Sequence, residues 1–481
     1  MRVLLVRPVS PNDRFGLGPF FRVEPLGLEY VAAALRAHGH HVDLVDLRFG
    51  PSLKSALQRA RPAVVGIACI HTVDTDSTLA VAAAVKAHDP RIFVLLGGHA
   101  AAVHPTPLFR ASVDAIALGD GEHSVPLLVD ALAAGERPSS LEGFVSRDPA
   151  GNFCSTPEAA RVSLDEVPLP ARDLVAPYQH HYLCVHKSPL WALETARGCP
   201  FRCSFCSVWK HSARTYRLRN IDAVCNDFAR VGANLFVVDD LFFYPRARSL
   251  ELARELRRRG VRKEWILVQS RLDTVARSAD VLEAWRPLSR DFDIFFGFEA
   301  ATPARLEELD KDLDLVRVEE GVALARSLRF GVTGNFVIDP DWGQEDFEAM
   351  WAMVDRLDLR RAGYTVLTPL PGTPLYDRLE ARLLERDWAK FDMHHVLYEP
   401  RLGRHRFFEL FVASWRRNVL SPRHARAHWW KWLRQLRPVQ AWTLLKVLWQ
   451  TQRLLDVDAY LDDAFPLQVP ASITSKRGDE A

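Results

Sequence analysis

This chain is poor in cysteine, has no long apolar run and carries almost no net charge, and each shortage narrows what it can be. Seven cysteines in 481 residues fall far below the density of a disulfide scaffold. Cys69, Cys154, Cys184 and Cys225 are scattered without a pairing pattern, which predicts a reduced, cytoplasmic protein. No stretch of about eighteen apolar residues occurs, so no membrane span is expected. The start also lacks the basic leader and cleavage site of a signal peptide. Lys and Arg number 62 against 60 Asp and Glu, a net charge of +2, so no global field points to nucleic acid as a partner. No Ser/His/Asp or paired-carboxylate constellation stands out, and no acid–base catalytic residue is assigned.

The other three cysteines lie together in Arg197-Gly198-Cys199-Pro200-Phe201-Arg202-Cys203-Ser204-Phe205-Cys206. This three-then-two spacing lets three thiolates converge on one face of a metal cluster. Iron–sulfur clusters are usually held by four cysteines, so a trio leaves one iron open to a substrate or cofactor. The site therefore reads as reactive rather than as an electron wire. One plain alternative is structural zinc, which takes four ligands and would need His211 to complete its set. The other is three unrelated buried thiols, against which stands their crowding into eight positions of a cysteine-poor chain.

Residues 1–135 alternate β-branched runs with helical stretches, the pattern of a parallel sheet wrapped by helices. The expected strands are Val3–Val6, His41–Asp46, Val64–Cys69, Ile92–Gly98 and Val113–Glu122, with helices over Leu26–His38 and Thr78–His88. Ligands of such sheets bind outside the carboxyl ends of the strands, here Arg7–Asn12, Ile70–Asp76, Gly97–Ala101 and Gly119–Glu122. Gly97, Gly98, Gly119 and Gly121 would let a large flat ligand approach the backbone, although each alone reads equally as a strand-to-helix turn. Residues 136–189, rich in Pro, Ser and Asp around Val167–Arg172, are expected to be a linker.

A second βα series fills 190–400. Its six strand runs are the one leading into the cysteine loop, Asn234–Asp240, Trp265–Arg271, Phe292–Ala300, Val332–Trp342 and Gly363–Gly372. Six units fit an open partial barrel with polar groups at the strand ends. Those ends carry Asp239, Asp240, Gln269, Arg271, Glu299, Asn335, Asp339 and Thr368. Residues 401–470 turn helical, basic and tryptophan-rich, and 471–481 read as a disordered tail.

With an aromatic residue, Phe205, before its last cysteine, the cysteine run resembles the CxxxCxxC signature of the radical S-adenosylmethionine (SAM) enzymes. The resemblance implies a four-iron four-sulfur cluster on Cys199, Cys203 and Cys206, its open iron chelated by the amino and carboxylate groups of SAM. The first domain resembles the cobalamin-binding domain that precedes many radical SAM cores, which makes Gly97, Gly98, His99, Gly119, Gly121 and Glu122 expected cobalamin contacts. One departure is visible: Asp46-Leu47-Arg48-Phe49-Gly50-Pro51 puts Arg48 where some members of the wider cobalamin family supply an axial histidine. No histidine from this loop is expected on cobalt, while His71 and His99 stand in other ligand-side loops. By resemblance, Glu299 and the second-strand aspartates Asp239 and Asp240 occupy SAM-contacting positions and the Pro369–Pro374 turn shapes the adenosyl pocket; Arg271 suits the SAM carboxylate, and Thr368 and Phe205 are further expected cofactor contacts. Asp240, Asp339 and Thr368 could equally cap the helices that follow them.

The implied fold is α/β: an N-terminal doubly wound, Rossmann-like cobalamin-binding domain, a radical SAM partial (β/α)6 barrel and a C-terminal helical segment. The runs Arg22–Glu29, Val237–Asp240, Asp339–Trp342 and Pro371–Leu375 together look like the hopanoid C-3 methylase branch of this superfamily. That branch implies C-methylation of an unactivated carbon of an apolar lipid or other natural product, through a 5'-deoxyadenosyl radical and methylcobalamin. An external electron donor such as ferredoxin or flavodoxin is then required. The alternatives are an oxidoreductase or cyclase of the Mg-protoporphyrin monomethyl ester oxidative cyclase type, and a non-catalytic cofactor-binding module. Tryptophans beside Lys and Arg after residue 401 suit either a helical cap over the barrel mouth or peripheral contact with the inner membrane face.

Overall fold

A computed structural model describes residues 1–10, 18, 20–136, 141–148, 150–157, 159, 161, 163–419, 452 and 454–461. The chain enters through β1 (Arg2–Arg7), a short β2 (Phe21–Arg22), β3 (His41–Asp46), β4 (Val64–Ala68), β5 (Phe93–Gly97) and β6 (Ala115–Ala117). Strands β3-β1-β4-β5-β6 lie side by side and parallel in that order. Parallel neighbours need a crossover, which helices Leu26–Ala37, Leu53–Ala60 and Thr75–His88 provide. Burial on both faces explains why these strands read as continuous aliphatic runs: every residue of β4 is buried.

The segment 136–189, expected as a linker, is not merely one. Within it β7 (Phe144–Arg147) and β8 (Phe153–Ser155) add antiparallel to β6 and extend the first sheet to seven strands. The hairpin covers an edge of unpaired backbone groups that would otherwise be open. Further on, Arg172 is hydrogen-bonded to Glu24 and to the carbonyl of Ala192, so this stretch ties the first domain to the second. β9 (Leu183–Cys184) pairs back onto β2.

The second sheet is wholly parallel, in the order β10 (Leu190–Leu193), β13 (Asn234–Val237), β14 (Lys263–Ser270), β15 (Ser289–Glu299), β16 (Gly331–Ile338) and β17 (Ala362–Val366). A small ribbon of β11 (Ala196–Arg197) and β12 (Arg217–Leu218) closes the cysteine loop. Burial alternates along these strands. In β16, Val332, Gly334, Phe336 and Ile338 are buried, while Thr333, Asn335 and Val337 remain partly accessible. The buried set faces the helical layer and joins the largest apolar cluster, with Phe292, Ile294, Phe296 and Trp285. The other set lines the lumen of an open barrel, where Asn335 Nδ2 donates to Thr365 Oγ1 at 2.7 Å.

Of the expected C-terminal cap, helix Arg404–Val419 is described. It packs on the outer layer rather than across the barrel mouth. Phe407 meets Phe347, Trp415 meets Tyr364, and Asn418 donates to the carbonyl of Ala362 on edge strand β17. The physical reason is the free edge of an unclosed barrel, which this helix covers. The tryptophan-rich run 428–442 and the tail 471–481 lie outside the described residues. Among the described residues no helix is long and apolar enough to cross a membrane.

Candidate active site

The cysteine loop hangs from the β11–β12 stem at the carboxyl end of β10. It begins at Gly198, where φ is +98° and an added Cβ would collide with Thr215 O, so only glycine fits. A turn from Cys203 O to Cys206 N (3.1 Å) and the Trp209 indole donating to Cys203 O (3.0 Å) set the curve that carries the thiols. Ser204 is strung between two other loops: its N–H donates to Leu309 O, and its carbonyl accepts from Leu375 N, each at 3.0 Å. All three cysteines are free and half-buried. Burial pushes their thiols up, Cys206 to about 12, while the charges of Lys311 and Arg271 pull Cys203 the other way. Among the described residues no three His, Cys, Asp or Glu side chains converge as the shell of a single metal ion would. His211, the fourth ligand that zinc would need, lies edge-on to His99 instead. A cluster that takes one thiolate per iron fits this trio better.

The strand-end residues separate into committed and available groups. Asp239 is 2% exposed and spent on Thr195, accepting from its N–H at 2.7 Å and its hydroxyl at 2.5 Å. Burial lifts its carboxyl to about 7, against those hydrogen bonds. Both of its oxygens are thereby engaged beneath the cysteine loop. Its neighbour Asp240 is solvent-accessible yet surrounded by protein, as on a cleft wall. It accepts from Gly198 N at 3.3 Å, and desolvation raises it to about 6. Arg271 is held by Asp273 at 3.0 Å and lies 3.8 Å over the Phe201 ring, which fixes its guanidinium against the cysteine loop. Phe205 packs into the apolar seam of Leu309, Leu367 and Leu375. Thr368 is buried and turns its hydroxyl to Val366 O at 3.3 Å. Asp339 accepts from Asp341 N and from the Tyr398 hydroxyl, both at 2.8 Å, and does not cap the helix that follows, whose N-cap is Gly343.

Glu299 stands at a register shift in β15 with φ +60°, which turns its carboxylate inward. The residue that sequence reasoning missed is its partner. Lys311 is 7% exposed and donates to Glu299 Oε1 at 2.6 Å and to Gly297 O at 2.7 Å. A buried ammonium survives only when paired. The one sequence signal was a lone lysine twelve residues after a strand-end carboxylate, which no periodicity singles out.

On the first domain, the β5 and β6 ends face this loop. Gly98 has φ +113° and an added Cβ would sit 2.6 Å from Cys69 O, while nothing lies within 4 Å of a Cβ at Gly119. Tight backbone below and open space above suit a flat ligand. His99 Nε2 meets Ser207 Oγ at 2.6 Å, and burial drives its pKa down to about 3, so the ring is neutral. Glu122 does not point to open space: it accepts from Arg197 at 2.5 Å. A Cβ on Gly121 would touch Val31 at 3.1 Å, which makes that glycine a packing requirement between helices. Gly97 ends β5, its carbonyl taking Cys69 N at 2.7 Å. Arg48 folds back onto Asp46, at 2.7 and 2.9 Å.

Residues 19–129 match the B12 binding domain, and residues 193–354 match the radical SAM superfamily. The chain is 31% identical to the hopanoid C-3 methylase of Methylococcus capsulatus, over 86% of this chain and 80% of that one. It belongs to the cobalamin-binding radical SAM enzymes. The cofactors of this family are cobalamin on the first domain and a four-iron four-sulfur cluster with SAM on the second. The anaerobic magnesium-protoporphyrin IX monomethyl ester cyclase of Cereibacter sphaeroides is 26% identical to this enzyme, over 78% of the chain and 64% of the cyclase. Among solved structures, the cobalamin-dependent SAM radical enzyme OxsB, with aqua-cobalamin and SAM bound, superposes with a TM-score of 0.71. That match covers 96% of this chain and 74% of OxsB at 13% identity, and establishes the shared fold.

Proposed function

We propose that this enzyme methylates an unactivated carbon of an apolar, hopanoid-like lipid. The observation that carries the reading is the 31% identity to a hopanoid C-3 methylase, sustained through both cofactor domains. The inner face of the second sheet is compatible with it, because Phe236, Phe295 and Val337 are apolar and partly accessible there, Phe236 and Phe295 lying against the apolar cluster of the first domain. When bound, the cluster and SAM supply a carbon-centred radical, and cobalamin supplies the methyl group.

The chain's own part is to hold and shield. Cys199, Cys203 and Cys206 would hold the cluster. Glu299, oriented by Lys311, and Asp240 on the cleft wall would receive the ammonium and hydroxyl groups of SAM. Arg271 keeps one face on Phe201 and its charge beside the cysteine loop. Gly97, Gly98 and Gly119 would let cobalamin lie against the first sheet. An external one-electron donor such as ferredoxin or flavodoxin completes the system, and the C-terminal segment would bring the enzyme to a membrane face where such a lipid resides.

The test uses anaerobically reconstituted enzyme with SAM labelled in its methyl group and a hopanoid substrate. Label entering the lipid with a gain of one methylene supports the reading. Hydrogen loss or oxygen gain in a tetrapyrrole, without label transfer, would favour the cyclase relative instead.

A further inference from the structure

The two strands that close the cysteine loop place Arg197 and Arg217 directly opposite each other. Like charges in that register repel, and both side chains are largely withdrawn from water. The counter-charge does not come from the second domain alone. Asp120, in the loop after β6 of the first domain, accepts from Arg197 Nη1 at 2.9 Å and from Arg217 Nη1 and Nη2 at 2.6 and 3.1 Å. Glu122 and Glu194 complete the group on Arg197. Asp120 is the one acid that touches both stem arginines among the described residues. Burial would raise its carboxyl, but the hydrogen bonds and charges of Arg217 and Arg197 outweigh that and hold it at about 2. A second tether lies at the far end of the trio, where His99, after β5, meets Ser207, the residue after Cys206.

The cysteine trio is thus bracketed by two loops of the first domain, the same two that carry Gly98 and Gly119. We propose that Asp120 is a positioning residue that couples the two cofactor sites: it clamps the stem of the cluster loop from the cobalamin side, so that filling either site tightens the other. Reciprocity follows from linkage, because whatever cobalamin gains from an ordered 119–122 loop the cluster must gain equally. The inference rests on the reading that these loops face cobalamin.

The experiment measures hydroxocobalamin affinity of the full chain, by absorbance titration, with the cluster reconstituted and in the cluster-free Cys199→Ala/Cys203→Ala/Cys206→Ala protein. In the wild type, cluster loading should tighten cobalamin binding by about tenfold. Asp120→Asn leaves Glu122 and Glu194 on Arg197; circular dichroism and thermal melting check the fold. In that background the ratio should fall to about one. Arg217→Gln should produce the same collapse from the other side and stands in if Asp120→Asn misfolds. A wild-type ratio of one, or a folded Asp120→Asn protein that keeps the wild-type ratio, overturns the proposal. So does an equal loss of affinity in both cluster states, which would put Asp120 on cobalamin itself. Wild-type protein that binds no cobalamin would instead sink the assignment of the loops. The clamp would then be judged from the electron paramagnetic resonance spectrum of the reduced cluster with SAM, shifted in Asp120→Asn if the clamp is real and unshifted if it is not.

Discussion

The two sheets of this enzyme are both parallel at heart and both flanked by helices, yet only the first is buried on its two faces. Leu4 and Leu5 point to opposite sides of β1 and are 0% and 1% exposed, one in each of two separate apolar clusters. In β15, by contrast, Phe296 is sealed against helices while its neighbour Phe295 is partly accessible on the lumen side. The first sheet is therefore a filled platform that can offer a ligand only its strand tips. The second keeps part of its inner wall, Thr333, Asn335 and Val337 among it, accessible to a ligand, while Phe236 and Phe295 lie against the first domain.

Four experiments would break or sharpen this contrast. The largest effect is expected from Cys203→Ala, which should reduce 5'-deoxyadenosine formation to background and lower bound iron. The platform sheet should still take cobalamin, weakened only by the lost coupling; equal loss of both cofactors would show that the two sheets do not act separately. Lys311→Met leaves Glu299 buried without its counter-charge, and should cost about 3–5 kcal/mol of stability in chemical denaturation. It should also weaken SAM binding by about tenfold or more in equilibrium titrations, with partial rescue by Lys311→Arg.

Alanine at Phe296 should cost about 3–5 kcal/mol, while alanine at Phe295 should cost clearly less and act instead on substrate affinity. In the platform sheet Leu4→Ala and Leu5→Ala should each cost about 2–5 kcal/mol, with no cheap face. Comparable losses at Phe295 and Phe296 would contradict an open lumen.

The smallest effect concerns Asp239. Its carboxyl is raised from 3.8 to about 7 by burial, so the folded protein binds this proton more tightly than the unfolded chain. Its contribution is fully present below about pH 4 and is lost as pH rises through about 7. Comparing wild type with Asp239→Asn by denaturation across that window should reveal a fall of at most about 1.4 kcal/mol per pH unit, absent in the variant. A flat difference would mean that Asp239 is ionised throughout and bound to something other than Thr195.

Much of this was legible in the chain itself. The five aliphatic runs of the first domain and the six of the second are the observed parallel strands, because each run must satisfy a local period and a crossover length. The cysteine spacing and the glycines at strand ends are equally local signals. Asp239 illustrates the limit: its place at a strand end is legible in the chain, but its two hydrogen bonds from Thr195 under the loop are not. The hairpin of β7 and β8 was hidden by the prolines and serines around it, and its partner, the edge of β6, exists only once the sheet is assembled.

What the sequence determined alone was chemistry of fixed reach: three thiols within one loop, helices and strands in alternation, and a loop after β3 with Arg48 in place of histidine. What only the tertiary structure decided was which charges meet. Asp120 and Arg217 lie 97 residues apart, and Lys311 reaches Glu299 across an intervening helix. No periodicity in a chain encodes such encounters, because desolvation selects them only after the backbone has brought the groups together.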